Sequence, residues 1–239
     1  MRIALIGYGK MGKAIEKIAI ERGHVISFCI GTANKSSLST ITTENTDIAI
    51  ECSTPSTVVQ HIAYCFSQNI PIVVGTTGWY EHLETIKKQA TSTNQSILYA
   101  TNFSIGVHLF FKIAKYAASL LEEYKTSYTP TIHEVHHTQK KDAPSGTAIT
   151  LANKILEHNS VFEDWTDLGN STDKLCITSE RTENIPGTHT LSFNSGIDTI
   201  SLSHVANNRE GFAYGAVQAA EWLVGRKGVF SIEEMIDTI

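Results

Sequence analysis

Short apolar runs alternate with stretches of helical spacing along the first hundred residues. Arg2 to Ile6 reads as a strand that ends in Gly7-Tyr8-Gly9-Lys10-Met11-Gly12, after which Ile15, Ile18 and Ala19 recur on one helix face toward Arg22-Gly23. His24 to Ile30, Asp47 to Cys52, Pro71 to Val74 and Ser96 to Ala100 are further strands, and Val58 to Phe66 and Glu81 to Ala90 are helices between them. Strand and helix in this alternation predict an α/β fold with a Rossmann-type nucleotide domain.

The alternation stops after Asn102-Phe103-Ser104. Ile105 to Leu121 reads as a helix whose wide apolar stripe, Leu109, Ile113, Tyr116 and Leu120 with Phe110, Ala114, Ala117 and Leu121 beside them, should pack under a sheet. Thr131 to His137 is rich in β-branched residues and reads as a strand, Asp142-Ala143-Pro144 breaks the chain, and Ser145 opens a helix to His158 with Ile149, Ala152, Ile155 and Leu156 on one face. Residues 163–174 are polar and loop-like. Lys174 to Ser179, His189 to Phe193 and Ile197 to Val205 are strands, with Asn194-Ser195-Gly196 as the turn of a hairpin. The second half is therefore expected to be an α+β domain on an open mixed sheet, one face covered by helices and the other free for association with other subunits. Phe212 to Val224 is an Ala-rich helix with Ala216, Ala219, Ala220 and Leu223 on its buried side.

Composition narrows the class. With 239 residues and 41% hydrophobic content the chain can bury a full core in one large or two modest domains. A formal net charge of -5 argues against nucleic acid or an anionic membrane as partner, so an acidic ligand needs a local basic pocket. Cys29, Cys52, Cys65 and Cys176 form no C-x-x-C and most lie in apolar surroundings, as reduced core thiols of a cytoplasmic protein do. The amino-terminal apolar run is too short for a signal peptide or a membrane span.

G-x-G-x-x-G between a strand and a helix is the dinucleotide fingerprint: small residues let the backbone close on a pyrophosphate, and the helix N-terminus supplies amides and a favourable dipole. An NAD site would carry Asp or Glu at the end of the second strand for the ribose hydroxyl. That place reads Ile30-Gly31-Thr32-Ala33-Asn34-Lys35, with no acid before Glu44, so NADPH is favoured over NADH, with Lys35 available to a 2'-phosphate. Candidate cofactor contacts are Gly7, Gly9, Lys10, Met11 and Gly12, then Thr32, then Gly75, Thr76 and Thr77 after the fourth strand, and Ala100, Thr101, Asn102 and Phe103 after the fifth.

The densest chemistry lies in His133-Glu134-Val135-His136-His137-Thr138-Gln139-Lys140-Lys141-Asp142-Ala143-Pro144-Ser145-Gly146-Thr147-Ala148. Amides from Ser145 to Thr147 at the start of the helix suit a small carboxylate, with Lys140 and the histidines on the approach. His133-Glu134-Val135-His136-His137 also spells the H-E-x-x-H zinc signature, which works only on a helix. On a strand the two histidines stand roughly 13 Å apart, too far to share a zinc ion, so no metal is expected.

The run H-H-T-Q-K-K-D-A-P-S-G-T-A resembles the signature of the 4-hydroxy-tetrahydrodipicolinate reductase (dihydrodipicolinate reductase) family. Gly7 to Gly12, Val73 to Gly78, Ala100 to Val107, Pro186 to Thr190, His204 to Arg209 and Phe212 to Ala216 agree in order, spanning nearly the whole chain. The resemblance implies NAD(P)H-dependent reduction of the dehydrated cyclic intermediate of lysine and diaminopimelate biosynthesis. His136 would be proton donor, Lys140 its assistant, and His137, Ser145, Gly146 and Thr147 would hold substrate carboxylates. It also implies a homotetramer built on the open sheet, and a last helix that returns to the nucleotide domain. The division would then be 1–103 with 211–239 for the dinucleotide and 104–210 for substrate and oligomerisation, with hinges near Phe103 and Gly211. Two departures stand out: residues 32–46 form a shorter excursion than family members usually carry, and His108 stands where Asn is usual. The rival readings are a zinc hydrolase and a nucleotide-sensing module that binds NADPH without oxidising it.

Overall fold

A computed structural model describes residues 1–169, 171–208 and 210–238. The chain falls into two compact units, Met1–Ile105 with Glu210–Ile239, and Gly106–Arg209; Arg209 itself lies outside the described residues.

In the first unit, β1 (Arg2–Ile6), β2 (Val25–Ile30), β3 (Ile48–Glu51), β4 (Ile72–Val74), β5 (Ser96–Tyr99) and β11 (Gly228–Ser231) form a sheet in the order β11-β5-β4-β3-β1-β2. Every pairing in it is parallel. Strands buried on both faces need apolar residues throughout, and Ile3 to Ile6 and Ile72 to Val74 are fully buried. Helices α1 (Lys10–Glu21) and α6 (Glu210–Leu223) pack together on one face, where Ile15, Ile18 and Ala19 meet Ala213, Ala216, Val217 and Ala220. The Ala-rich surface permits close approach, and where α6 passes the Phe103 backbone Gly215 is required: a Cβ there would stand 1.7 Å from the Phe103 carbonyl oxygen. Helices α2 (Pro55–Ser67) and α3 (Leu83–Ser92) cover the other face through Val58, Ile62, Phe66 and Ile86. The chain after Val224 adds β11 and the short helix α7 (Ile232–Asp237), neither of which the periodicity announced.

In the second unit, β6 (Thr129–His136), β7 (Asp164–Thr166), β8 (Lys174–Arg181), β9 (Thr188–Asn194) and β10 (Thr199–Val205) give a mixed sheet in the order β10-β9-β6-β8-β7. β6 runs parallel to β8 and antiparallel to β9. Residues 133–136 are therefore strand, as expected. Helices α4 (Ile105–Leu121) and α5 (Gly146–Leu156) cover one face, burying Ile132, Leu175, Ile177, Leu191 and Phe193. The other face carries hydroxyls in cross-strand pairs, Thr190 with Ser203 at 3.0 Å and Ser192 with Ser201 at 2.9 Å.

Four expectations need correction here. The polar segment 163–174 contains β7, which pairs with β8 through Trp165 and Leu175. The hairpin loop is Ser195 to Asp198, closed by Ser195 N to Asp198 O, so Ile197 is in the turn and not in a strand. On α4 the sheet receives Val107, Phe110, Phe111, Ala114 and Ala118, whereas Leu109, Ile113, Tyr116 and Leu120 are 47%, 55%, 66% and 56% exposed. The helix is apolar over most of its circumference, and the adjacent Phe110 and Phe111, the largest apolar area on it, take the buried side. α5 is likewise rotated slightly, to Ala148, Leu151, Ala152 and Ile155.

Candidate active site

The first unit gathers its candidate residues along the carboxyl edge of the parallel sheet, because β1, β4 and β5 all end there. Strand order reverses beside β1, with β2 on one side and β3 on the other, the crevice where doubly wound sheets bind ligands. Gly7, at φ +100°, opens it: a Cβ would stand 2.3 Å from the Cys52 carbonyl oxygen. A Cβ on Gly12 would meet the Gly7 carbonyl oxygen at 2.3 Å, so α1 starts tight against the turn. Gly9, by contrast, has open space around it and caps α1 with no side-chain hydrogen bond. A bare backbone ahead of uncapped helix amides fits a pyrophosphate.

Gly75 follows β4 and its amide donates to the Glu51 carbonyl, while the buried Phe103 ring lies 3.6 Å from where a Gly75 Cβ would be. Thr76 is buried with its hydroxyl unbonded among the described residues; Thr77 is exposed. Ala100 is buried, Thr101 is exposed, and Asn102 Oδ1 accepts from the Ser104 amide at 2.7 Å. Lys10, Thr32 and Lys35 are exposed and Met11 is half-buried. Asn34 occupies the end of β2, accepting from Gly31 N at 2.7 Å and donating to Cys29 O at 2.9 Å.

The second unit holds the acid–base groups. Alternation along β6 sends Ile132, Glu134 and His136 to the buried face and His133 to the other, where it meets Thr178 at 2.9 Å. His133 and His136 thus point apart, and the H-E-x-x-H pair does not form a zinc site. A different trio does come together. Glu134 stands opposite His189 in the antiparallel register with β9, and His136 lies two residues on along the same face. Glu134, His136 and His189 place one ligand atom each within 4.8 Å of one another, close enough to hold a metal ion.

Glu134 is fully buried. Its Oε1 accepts from Ser179 Oγ at 2.8 Å, Ser145 N at 3.0 Å and Arg181 Nη2 at 3.3 Å. Its Oε2 lies 3.4 Å from His136 Nδ1 and 3.6 Å from His189 Nε2, and is hydrogen bonded to neither in this geometry. Burial pushes this carboxyl up, but the nearby His189 ring and the hydrogen bonds from Ser145 and Ser179 outweigh burial and hold it well below the usual carboxylate range. Burial, then the neighbouring His189, pulls His136 down to about 4 against the opposing pull of Glu134. His136 Nε2 is on the Gly187 side of the ring, where a Cβ on that glycine would stand 3.0 Å away.

Ser145 caps α5, its Oγ accepting from Ala148 N at 3.2 Å and bonding His189 Nε2 at 3.1 Å. Its amide, expected to be free, is taken by Glu134. The carboxylate cradle is therefore reduced to Gly146 and Thr147, whose first-turn amides have no intrahelical acceptor. Lys140 Nζ pairs with Asp142 at 2.7 Å, a contact that holds the Asp142 carboxyl below its ordinary range. His137 lines an open hollow of about 560 Å³ with Thr138, Gln139, Asn184, Pro186 and Asn207; His136 is not among its walls.

Glu134, His189 and Arg181 had no place among the expected site residues. The period-two spacing of Glu134 and His136 on a strand was a usable signal for the first. Nothing in the sequence announced that β9 would set His189 opposite Glu134. Arg181 comes from β8, and fastens the Lys140 loop through the carbonyls of Lys140 at 3.3 Å and Asp142 at 2.6 Å.

Comparison with known proteins adds an independent line. The family model for the N-terminus of dihydrodipicolinate reductase matches residues 1–103, and that for its C-terminus matches residues 106–236. A 4-hydroxy-tetrahydrodipicolinate reductase of Christiangramia forsetii is 39% identical over 239 residues, covering 100% of this chain and 99% of that protein. One of Sulfurimonas denitrificans is 37% identical over 201 residues, 80% of this chain and 76% of its own. Among solved structures, a dipicolinate-bound dihydrodipicolinate reductase from Paenisporosarcina sp. TG-14 superposes with a TM-score of 0.80 over 98% of this chain and 99% of that one. At 24% identity that likeness is one of fold.

Proposed function

The chain belongs to the dihydrodipicolinate reductase family, and from that premise we propose how its own residues carry the reaction. It is an NAD(P)H-dependent oxidoreductase of the 4-hydroxy-tetrahydrodipicolinate reductase step in lysine and diaminopimelate biosynthesis. NAD(P)H, when bound, would supply a hydride to the terminal carbon of the conjugated C=C–C=N system of the dehydrated substrate, and the adjacent carbon must take a proton so that C=N is restored. In our reading His136 delivers that proton from Nε2. Lys140 leaves Asp142 for a substrate carboxylate or shares the proton transfer, and Gly146, Thr147 and His137 hold the carboxylates. The observation that carries this reading is the placement, within one unit, of a buried imidazole and the first turn of α5, where Ser145 caps Ala148 and the Gly146 and Thr147 amides have no intrahelical acceptor.

The Gly7–Gly12 turn would hold the cofactor's pyrophosphate, and Gly75, Thr76, Thr77 and Phe103 would hold its nicotinamide end. We favour NADPH: Asn34 and not a carboxylate occupies the end of β2, and Lys35 is exposed for a 2'-phosphate. We further propose a cytoplasmic homotetramer assembled through the open face of the mixed sheet. No metal has a role in this reading; the Arg181 guanidinium on Glu134 already supplies a cation to that carboxylate. The test is loss of NADPH absorbance when the product of dihydrodipicolinate synthase is added, with NADH compared in the same buffer. Steady oxidation surviving a chelator, faster with NADPH, is the expected result. Binding of NADPH with no oxidation would leave a sensing module, and abolition by the chelator would restore the metal reading.

A further inference from the structure

Nothing in the reaction so far uses Glu134, yet its carboxylate is fully buried. A buried carboxylate is costly unless every lone pair is matched, and here only one side is matched. Oε1 takes three donors from two segments: Ser145 at the start of α5, and Ser179 and Arg181 on β8. Oε2 takes none and faces His136 Nδ1 and His189 Nε2. His189 in turn bonds Ser145 Oγ, the cap of the same helix.

We propose that Glu134 is a positioning residue that joins the two working parts of the site, Oε1 fixing the first turn of α5 and Oε2 holding the proton of His136 on Nδ1. The proposal rests on the reading of His136 as proton donor. With its Nδ1–H turned to Oε2, the neutral ring leaves the Nε2 lone pair on the Gly187 side. Taking up a proton there makes an imidazolium that the carboxylate stabilises, and Nε2–H is then the group given to substrate carbon. The proton returns from solvent after turnover, so Glu134 remains ionised throughout. His189 Nε2 bonds the Ser145 hydroxyl and stands 3.6 Å from Oε2, so the ring is placed between the cap of α5 and the carboxylate.

The charges that bear on His136 are Glu134 on its own strand, His189 on β9, Arg181 on β8 and Lys140 in the loop that follows; α5 contributes only the uncharged Ser145. Removing the carboxylate charge therefore makes His136 harder to protonate, and removing the His189 ring makes it easier. These opposite signs separate positioning from mere structural support.

The experiment measures kcat and kcat/KM against pH for the full chain with NADPH, and NADPH binding by fluorescence, in Glu134→Gln, Glu134→Asp and His189→Gln. Glu134→Gln is expected to lower kcat by about 10²-fold or more, and to move the descending alkaline limb at least about one pH unit to acid. NADPH affinity stays within about twofold. Glu134→Asp, which keeps the charge, recovers at least about tenfold of that loss, and His189→Gln moves the limb to alkaline pH. Unmoved limbs in both Gln variants overturn the proposal, whatever happens to KM or melting temperature. Should Glu134→Gln not fold, the direction of the His189→Gln limb decides alone. His136→Gln separates the levels: full activity there removes the proton-donor reading itself, whereas a crippled His136→Gln with unmoved limbs removes only the role of Glu134.

Discussion

As the proposed proton donor, His136 is under opposing demands. A proton donor must be charged before it acts, but burial and the adjacent His189 bring this ring down to about 4 in the free protein. It is therefore neutral near pH 7 until a doubly negative substrate adds its own field, which raises the ring toward working pH. The same depression has a consequence for stability. An unfolded histidine takes a proton near 6.5, the folded one near 4, so between those values the unfolded chain binds more protons. Stability is then intact above pH 6.5 and falls as the pH drops toward 4, by on the order of 3 kcal/mol at most from this group. The depressed Glu134 carboxyl adds a loss in the same direction, but only below its unfolded value of 4.5. Urea unfolding at pH 7 and pH 4.7 checks this: His136→Gln should lose clearly less stability over that interval than the wild type, and equal losses would contradict it.

At the scale of elements, α4 separates what periodicity can and cannot decide. That residues 105–121 form a helix was legible in the sequence, but its buried side was not, because apolar residues ring most of its surface. Phe111→Ala should cost about 3–5 kcal/mol and Ile113→Ala less than about 1 kcal/mol in the isolated subunit, measured by chemical unfolding. Equal costs would mean that the buried face is wrongly placed. The parallel strands were easier to read, since β1, β3, β4 and β5 are short apolar runs bounded by turn residues. β7 escaped because three residues, Asp164 to Thr166, carry too little pattern inside a polar stretch. The candidate site was legible where it is local in sequence, from His136 to Thr147. Glu134–His189 depends on the antiparallel register of β6 with β9, and Arg181 on the parallel register with β8, pairings that no single segment encodes.

The whole molecule divides its chemistry between two folding units. The first places glycine backbone and uncapped helix amides at the switch point of a parallel sheet. The second places a buried carboxylate, two imidazoles, Arg181 and Lys140 around the start of a helix, concentrating positive donors in a chain whose formal charge is -5. If this division is correct, cofactor binding and proton delivery are separable by mutation. The direct measurement is turnover of His136→Ala with NADPH and the dihydrodipicolinate synthase product, alongside NADPH affinity of the same variant. A fall of about 10²- to 10⁴-fold in kcat with unchanged NADPH affinity is the predicted result; wild-type turnover would contradict the assignment of the proton donor.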